Sequence, residues 1–161
     1  MILKVMMISL LAFASVAFAS EWTSHTSFAG FYKIHHPKTW KITSQGNITN
    51  IVAPDGEGAI TISAYHEKQG DFSYLMKLTY KAFAKAEVIS PFKLYNYKTS
   101  EGVGGEFRQM EVDGSRRWLV RGVHSKHVFV LITANDQDKQ FRNRKDTFIK
   151  ILDSLELKDP Q

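Results

Sequence analysis

Apolar and polar residues alternate along much of the chain, a pattern typical of strands with one buried face. The clearest case is residues 59–65, in which Ile60, Ile62 and Ala64 lie on one side. A nearly unbroken apolar run at residues 127–134 predicts a central strand that is covered on both faces. Shorter alternating patterns predict further strands at residues 31–35, 40–43, 48–53, 92–98, 106–112 and 116–124.

Two other segments have apolar residues at the spacing of a helix. The first extends from Asp71, whose carboxylate can cap the N-terminus, to about residue 86. The second covers about residues 138–155, with Phe141 and Phe148 on one face. These two segments are the only ones in which the pattern predicts helices.

Turn signals join the predicted strands. Asp113-Gly114 is typical of a two-residue hairpin. Ser125-Lys126 indicates another tight turn, residues 102–105 (Gly-Val-Gly-Gly) indicate a flexible one, and Pro91 should break the chain before the strand at 92. Because consecutive hairpins build an antiparallel sheet, we expect a single α+β domain, an antiparallel β-sheet sandwiched by helices.

The first nineteen residues have a different pattern. Lys4 precedes an apolar stretch over residues 5–16, and Ala17-Phe18-Ala19 is the small-x-small sequence that signal peptidase recognises. The apolar stretch is shorter than the about 20 residues that span a membrane. We therefore expect a cleavable signal peptide at residues 1–19, cut after Ala19. The predicted remainder is an N-terminal leader at 20–27, a domain at 28–157 and a tail at 158–161.

Composition narrows the possible chemistry. The 161 residues include no cysteine, which excludes disulfides, zinc-thiolate sites and thiol nucleophiles. The formal net charge of +5 permits weak contact with an anionic membrane surface. No second apolar stretch is long enough to span a bilayer, so we do not expect an integral membrane protein.

Basic residues are concentrated in the strand predicted at 116–124 and in the second helix. If these elements are neighbours, the basic side chains form one surface patch. Its predicted members are Arg116, Arg117, Arg121, Lys126, Arg142, Arg144 and Lys145. The alternative is a dispersed, solvated set, because acidic residues are interleaved with them. Nucleic acid is not expected as the ligand of an exported chain whose basic segments show no series of aromatic residues arranged for base stacking.

Two histidines flank the predicted turn at 125–126. Across a two-residue hairpin, His124 and His127 would face each other with Cβ atoms about 5 Å apart, close enough to share a metal ion. A metal site needs three or four ligands, and no third is adjacent in sequence. Exposed turn histidines are the alternative. The sequence has no nucleophile-elbow, phosphate-loop or dinucleotide motif, so we expect no cofactor and no enzymatic activity.

Residues 32–40 follow the order aromatic-x-apolar-x-x-Pro-x-x-Trp. Together with the Pro-Asp-Gly turn at 54–56, the strand at 59–63 and the ending at 148–155, they resemble the PsbP-like (Mog/PsbP/DcrB) superfamily across residues 28–157. The resemblance implies an antiparallel sheet between helices, and binding or assembly roles without a shared catalytic set. The bacterial envelope branch of that superfamily fits the predicted signal peptide best.

These observations predict an exported, non-enzymatic binding or accessory protein of the cell envelope, periplasmic or secreted. Its partner would be an envelope protein, unknown from the sequence, reached through protein-protein contact. The alternative is a periplasmic protein that binds a small molecule or a metal ion in a pocket between sheet and helix, with His124 and His127 as candidate ligands.

Overall fold

The computed structural model describes residues 21–66, 72–97 and 100–158, and within these ranges it has ten strands and two helices. The helices are α1 (Phe72–Ala82) and α2 (Asp138–Asp153). The strands are β1 (Trp22–Thr26), β2 (Tyr32–Pro37), β3 (Lys41–Gln45), β4 (Ile48–Val52), β5 (Ala59–His66), β6 (Glu87–Tyr97), β7 (Ser100–Glu111), β8 (Gly114–His124), β9 (Val128–Gln137) and β10 (Glu156–Leu157).

Seven strands form one antiparallel sheet in the order β3-β4-β5-β9-β8-β7-β6. A smaller antiparallel sheet contains β1, β2 and β10. The predicted α+β class and the antiparallel pairing are therefore confirmed. The second sheet is an addition that the hydrophobic pattern does not indicate, because β10 has only two residues.

The main core lies between one face of the large sheet, called here the inner face, and a layer made of α2 and the small sheet. From α2, Phe141 and Phe148 are completely enclosed, and Phe148 meets Trp40 edge-on with ring centroids 5.7 Å apart. From the sheet, Ile60 and Ile62 of β5 are fully buried, as the alternation along this strand predicts. Burial of these side chains anchors α2 to the sheet.

The other helix covers the opposite, outer face. Neighbouring residues of a strand point to opposite faces, so Phe107 of β7 points away from Glu106, which contacts Lys145 of α2. Phe83, just beyond α1, stacks on Phe107 at 4.8 Å and meets Trp118 of β8 edge-on. The two helices therefore sandwich the sheet, as predicted. None of the helices in the described residues is long and apolar enough to cross a membrane.

The flexible turn predicted at residues 102–105 is wrong, because these residues lie inside β7. Glycine suits position 105 because a Cβ there would lie 3.2 Å from the ring of Phe107 and 3.2 Å from the carbonyl oxygen of Ser90, and these neighbours would have to shift. The break predicted at Pro91 is also wrong. Strand β6 continues through the proline and shifts its register on either side of Ser90, which accommodates the missing N–H.

Strand β1 lies within the leader predicted at residues 20–27 and pairs with β2, with Trp22 opposite Pro37. The ammonium group of Lys150 lies 4.3 Å from the centre of the Trp22 ring, which ties this strand to α2. The signal peptide predicted at 1–19 and the helix cap predicted at Asp71 lie outside the described residues.

Candidate functional site

A groove of about 540 Å³ lies between α2 and the inner face of β6, β7 and β8. Helix α2 contributes Lys145, Ile149 and Asp153, which are four residues apart and so share one side of the helix. Gly104 of β7 forms part of the floor, where the absence of a side chain leaves space. The groove exists because α2 packs over β8 and β9 and leaves the inner face of β6 and β7 open.

A buried carboxylate lies at one end of the groove. Glu106 is 5% exposed, and its two oxygens accept hydrogen bonds from Arg117 Nη1 and Lys145 Nζ, each at 2.7 Å. Both oxygens are therefore engaged by cations. An acid or base catalyst needs a carboxylate that can exchange a proton with a substrate, whereas this one is held in a structural ion pair.

Asp138, the first residue of α2, connects the same arginine to a second one. Its Oδ1 accepts from Arg117 Nε at 2.8 Å, and its Oδ2 accepts from Arg142 Nη2 at 2.8 Å. The Asp138 pKa is lowered to about 2, and the largest cause is the hydrogen bond from Arg142. Burial raises the pKa in part, and the hydrogen bond and charge of Arg117 lower it further. Burial disfavours the charge on Arg117, yet hydrogen bonds to Glu106 and Asp138 raise its pKa.

We expect the free energy of unfolding to decrease as the pH falls from about 4 towards 2, in part because Asp138 takes up a proton on unfolding. Its pKa in the folded chain is about 2, below the usual 3.8. The ionised carboxylate therefore stabilises the folded chain fully above about pH 4, and this contribution is lost as the pH falls towards 2. The Asp138→Asn variant should lose less stability over this interval. Urea unfolding at about pH 6 and about pH 3 measures the difference, and an equal loss in both proteins would contradict it.

A second buried carboxylate, Asp136, lies two residues before the start of α2. Asp136 is completely enclosed, and its Oδ2 lies 2.5 Å from Arg144 Nη1. Arg144 also pairs with Asp55 in the turn between β4 and β5. A Cβ at Gly58 would come within 3.0 Å of both members of the Asp136–Arg144 pair, so a side chain there would force the ion pair to shift.

Most members of the predicted basic patch have a carboxylate partner. Six of the seven do, in the pairs Arg116–Glu111, Arg117–Glu106, Arg121–Asp153, Arg142–Asp138, Arg144–Asp136 and Lys145–Glu106. Lys126 lies exposed in the turn after β8. This pairing favours the alternative in which interleaved acidic residues screen the charge. Arg121 and Lys145 nevertheless line the groove, where their charges meet at one place.

The predicted facing of the two histidines is wrong. His124 lies opposite Phe129 in the register of β8 and β9, because the Ser125 N–H donates to the Val128 carbonyl and closes a longer loop than predicted. In the part of the chain that the structure describes, no group of three or more His, Asp or Glu side chains could hold a metal ion. Metal binding by His124 and His127 stays a prediction without a geometric basis.

Five large apolar side chains are exposed on β6, at the free edge of the large sheet, and on α1, which contacts β6 through Tyr80 and Phe92. We call this set the β6 edge surface, and its residues are Leu78, Tyr80, Val88, Ile89 and Leu94. Leu94 is 82% exposed and Val88 57%. Helical spacing predicts Leu78 on the buried side of α1, yet it is 45% exposed. Pro91 is a local sign of an edge strand, but the prediction of a chain break there left this sign unused.

Comparison with known proteins gives the class of this fold. PsbP (CyanoP) from the cyanobacterium Synechocystis has a TM-score of 0.64 at 11% identity over 92% of this chain and 99% of its own. LpqN, involved in cell envelope biogenesis of Mycobacterium tuberculosis, has 0.62 at 11% identity over 86% and 91%. A Bacteroides thetaiotaomicron protein has 0.59 at 15% identity over 84% of this chain and 48% of that one.

The chain therefore has a PsbP-like fold, and the resemblance noted in its sequence is confirmed at the level of the fold. Known protein families and curated proteins give no match to the sequence itself. Identities of 11 to 15% establish shared architecture alone.

Proposed function

We propose that this chain is an exported, non-enzymatic accessory protein of the cell envelope that acts by binding another protein. The observation that carries the proposal is the β6 edge surface. Large apolar side chains exposed at a sheet edge and on the helix beside it are costly to leave in water and mark interaction sites. Tyr80 contributes an aromatic side chain, which is common at the centre of interfaces, and its ring lies 4.2 Å from that of Phe92.

The edge strand itself indicates how the partner docks. The shifts of register between Val88 and Lys93, together with Pro91, interrupt the regular row of N–H and C=O groups that strand addition needs. A partner that paired with this edge would leave backbone groups unsatisfied. The partner therefore packs against the side chains of the outer face, where Tyr80, Val88 and Leu94 lie.

The buried charges support binding over catalysis. Among the described residues, Glu106 and Asp136 are the buried carboxylates and the Asp138 side chain is 15% exposed; each of the three is held by one to three cationic side chains. These groups consolidate the packing of α2 on the sheet. A cell-envelope location is supported by the signal-peptide pattern of residues 1–19 and by the likeness to LpqN, a protein of envelope biogenesis.

Affinity purification of the tagged chain from the envelope fraction of its native host tests the proposal. We expect a specific partner that is lost, by about tenfold or more, with the Leu94→Asp variant, because a buried unpaired charge opposes an apolar contact. Val112→Asp is the matched control, since Val112 is fully exposed at the β7–β8 turn and outside the β6 edge surface. Intact mass of the same samples should lack residues 1–19.

Both variants should fold, because both positions are exposed, and circular dichroism checks this. A partner that is retained equally by Leu94→Asp and the native chain would refute the role of the β6 edge surface. A chain that keeps residues 1–19 and stays in the cytoplasm would refute export.

A further inference from the structure

We infer that the groove between α2 and strands β6 to β8 binds a small organic anion, a carboxylate or phosphate that carries a short apolar group. This inference is independent of the proposed function, because it concerns the inner face of β6 and not the β6 edge surface. It rests on the shape of the groove, on the charges around it and on its apolar wall.

The shape suits a ligand larger than an inorganic ion. A volume of about 540 Å³ falls in the range of small-molecule sites, about 300 to 1,000 Å³, whereas one water needs about 30 Å³. Gly104 contributes no side chain to the floor, so a ligand can approach the backbone of β7 closely. The groove is a consequence of the fold, since α2 does not extend over β6 and β7.

The charges favour an anion. Three cationic residues line the groove, Lys93, Arg121 and Lys145. Lys93 is exposed and has no carboxylate partner in the described part of the chain. A ligand would meet the head groups of Lys93 and Lys145, because the carboxylate of Glu106 is only 6% exposed beneath them.

The acidic residues that line the groove do not cancel its positive charge. Of the acidic lining residues, Glu106 pairs with Lys145, so Lys93 remains as the lining cation with no such partner among the described residues. Asp153 is the remaining acidic lining residue, and its carboxylate pairs with Arg121. The three cationic and two acidic lining residues therefore leave the groove with one net positive charge, at Lys93, which an anionic group would satisfy by charge-assisted hydrogen bonds.

The apolar wall favours an organic anion over phosphate alone. Leu119 of β8 and Ile149 of α2 line the groove, and Ile149 is partly buried against the core. An alkyl or ring substituent covering these side chains would remove apolar surface from water. A cationic rim beside an apolar wall matches a ligand with a charged end and a short apolar body.

Calorimetric titration of residues 20–161 with hexanoate, hexyl phosphate, hexanol and inorganic phosphate tests the inference. We expect heat of binding with hexanoate or hexyl phosphate, and the stronger of the two identifies the preferred head group. Hexanol lacks the charge and inorganic phosphate lacks the apolar body, so each should bind at least about tenfold more weakly.

The variant Lys93→Glu should weaken binding by about tenfold or more, because it replaces the unpaired cation with an anion. The control Lys126→Glu makes the same change of charge in an exposed turn outside the groove and should bind as the native chain does.

Equal weakening by both variants would show an effect of net charge only and would overturn the inference. So would equal affinity for hexanol and hexanoate, or no binding by either anion at millimolar concentration. Leu94→Asp should leave this binding unchanged, which separates the groove from the β6 edge surface.

Discussion

Replacing Phe148 with Ala should lower the free energy of unfolding by about 3 to 5 kcal/mol, the largest effect that we expect from one substitution. Phe148 is completely enclosed between α2 and the sheet, and its ring contacts Trp40 and Phe141 at centroid distances of 5.7 and 5.5 Å. Truncation leaves a cavity that rigid neighbours on both layers cannot fill. Since small domains are stable by only about 5 to 15 kcal/mol, the variant should be close to unfolding.

Urea unfolding followed by tryptophan fluorescence measures this loss. Phe28→Ala is the matched control, since the Phe28 side chain is 92% exposed and its removal should cost within about 0.5 kcal/mol. Similar midpoints for the two variants would contradict the placement of the core between α2 and the sheet.

Replacing Arg117 with Met should cost about 3 to 5 kcal/mol, the second large effect. The guanidinium side chain is 10% exposed and bridges Glu106 and Asp138. Methionine fills a similar volume, so the loss comes from the charges and not from a cavity. Glu106 in particular is left nearly enclosed with Lys145 as its remaining cation.

The control is Arg142→Met, because the Arg142 side chain is 70% exposed and its pair with Asp138 should contribute less than about 1 kcal/mol. The double variant Arg117→Met/Glu106→Leu should be more stable than Arg117→Met alone, since it removes the stranded carboxylate as well. A double variant less stable than Arg117→Met would show that the ion pair does not account for the loss.

Local patterns predicted much of the fold. The alternation at residues 59–65 reflects real alternation of burial along β5, and Phe141 and Phe148 mark the buried side of α2. The predicted start of α2 at residue 138 agrees with the structure. These features depend on residues near one another in the chain, which is why hydrophobic period alone reveals them.

Features that depend on distant contacts were predicted wrongly or not at all. Gly105 resembles a turn residue until the ring of Phe107 and the backbone of Ser90 are placed against it. Arg117 and Lys145 resemble surface cations until Glu106, on another strand, is seen between them. The groove and the β6 edge surface likewise depend on contacts between distant residues, because each is formed where α1 and α2 stop covering the sheet.

Strand β6 separates these two surfaces. Ser90 and Lys93 line the groove on the inner face, whereas Val88 and Leu94 belong to the β6 edge surface. Single substitutions on one strand can therefore test partner binding and anion binding independently.

The most direct test of the central claim is photo-crosslinking in living cells of the native host, with a photoreactive amino acid placed at position 94 or at position 112. Both side chains are exposed, at 82% and 109%, so a probe at either position reaches solvent. Binding through the β6 edge surface predicts a discrete crosslinked species of one envelope protein from position 94 and none from position 112. No discrete product from position 94, or the same product from both positions, would contradict it.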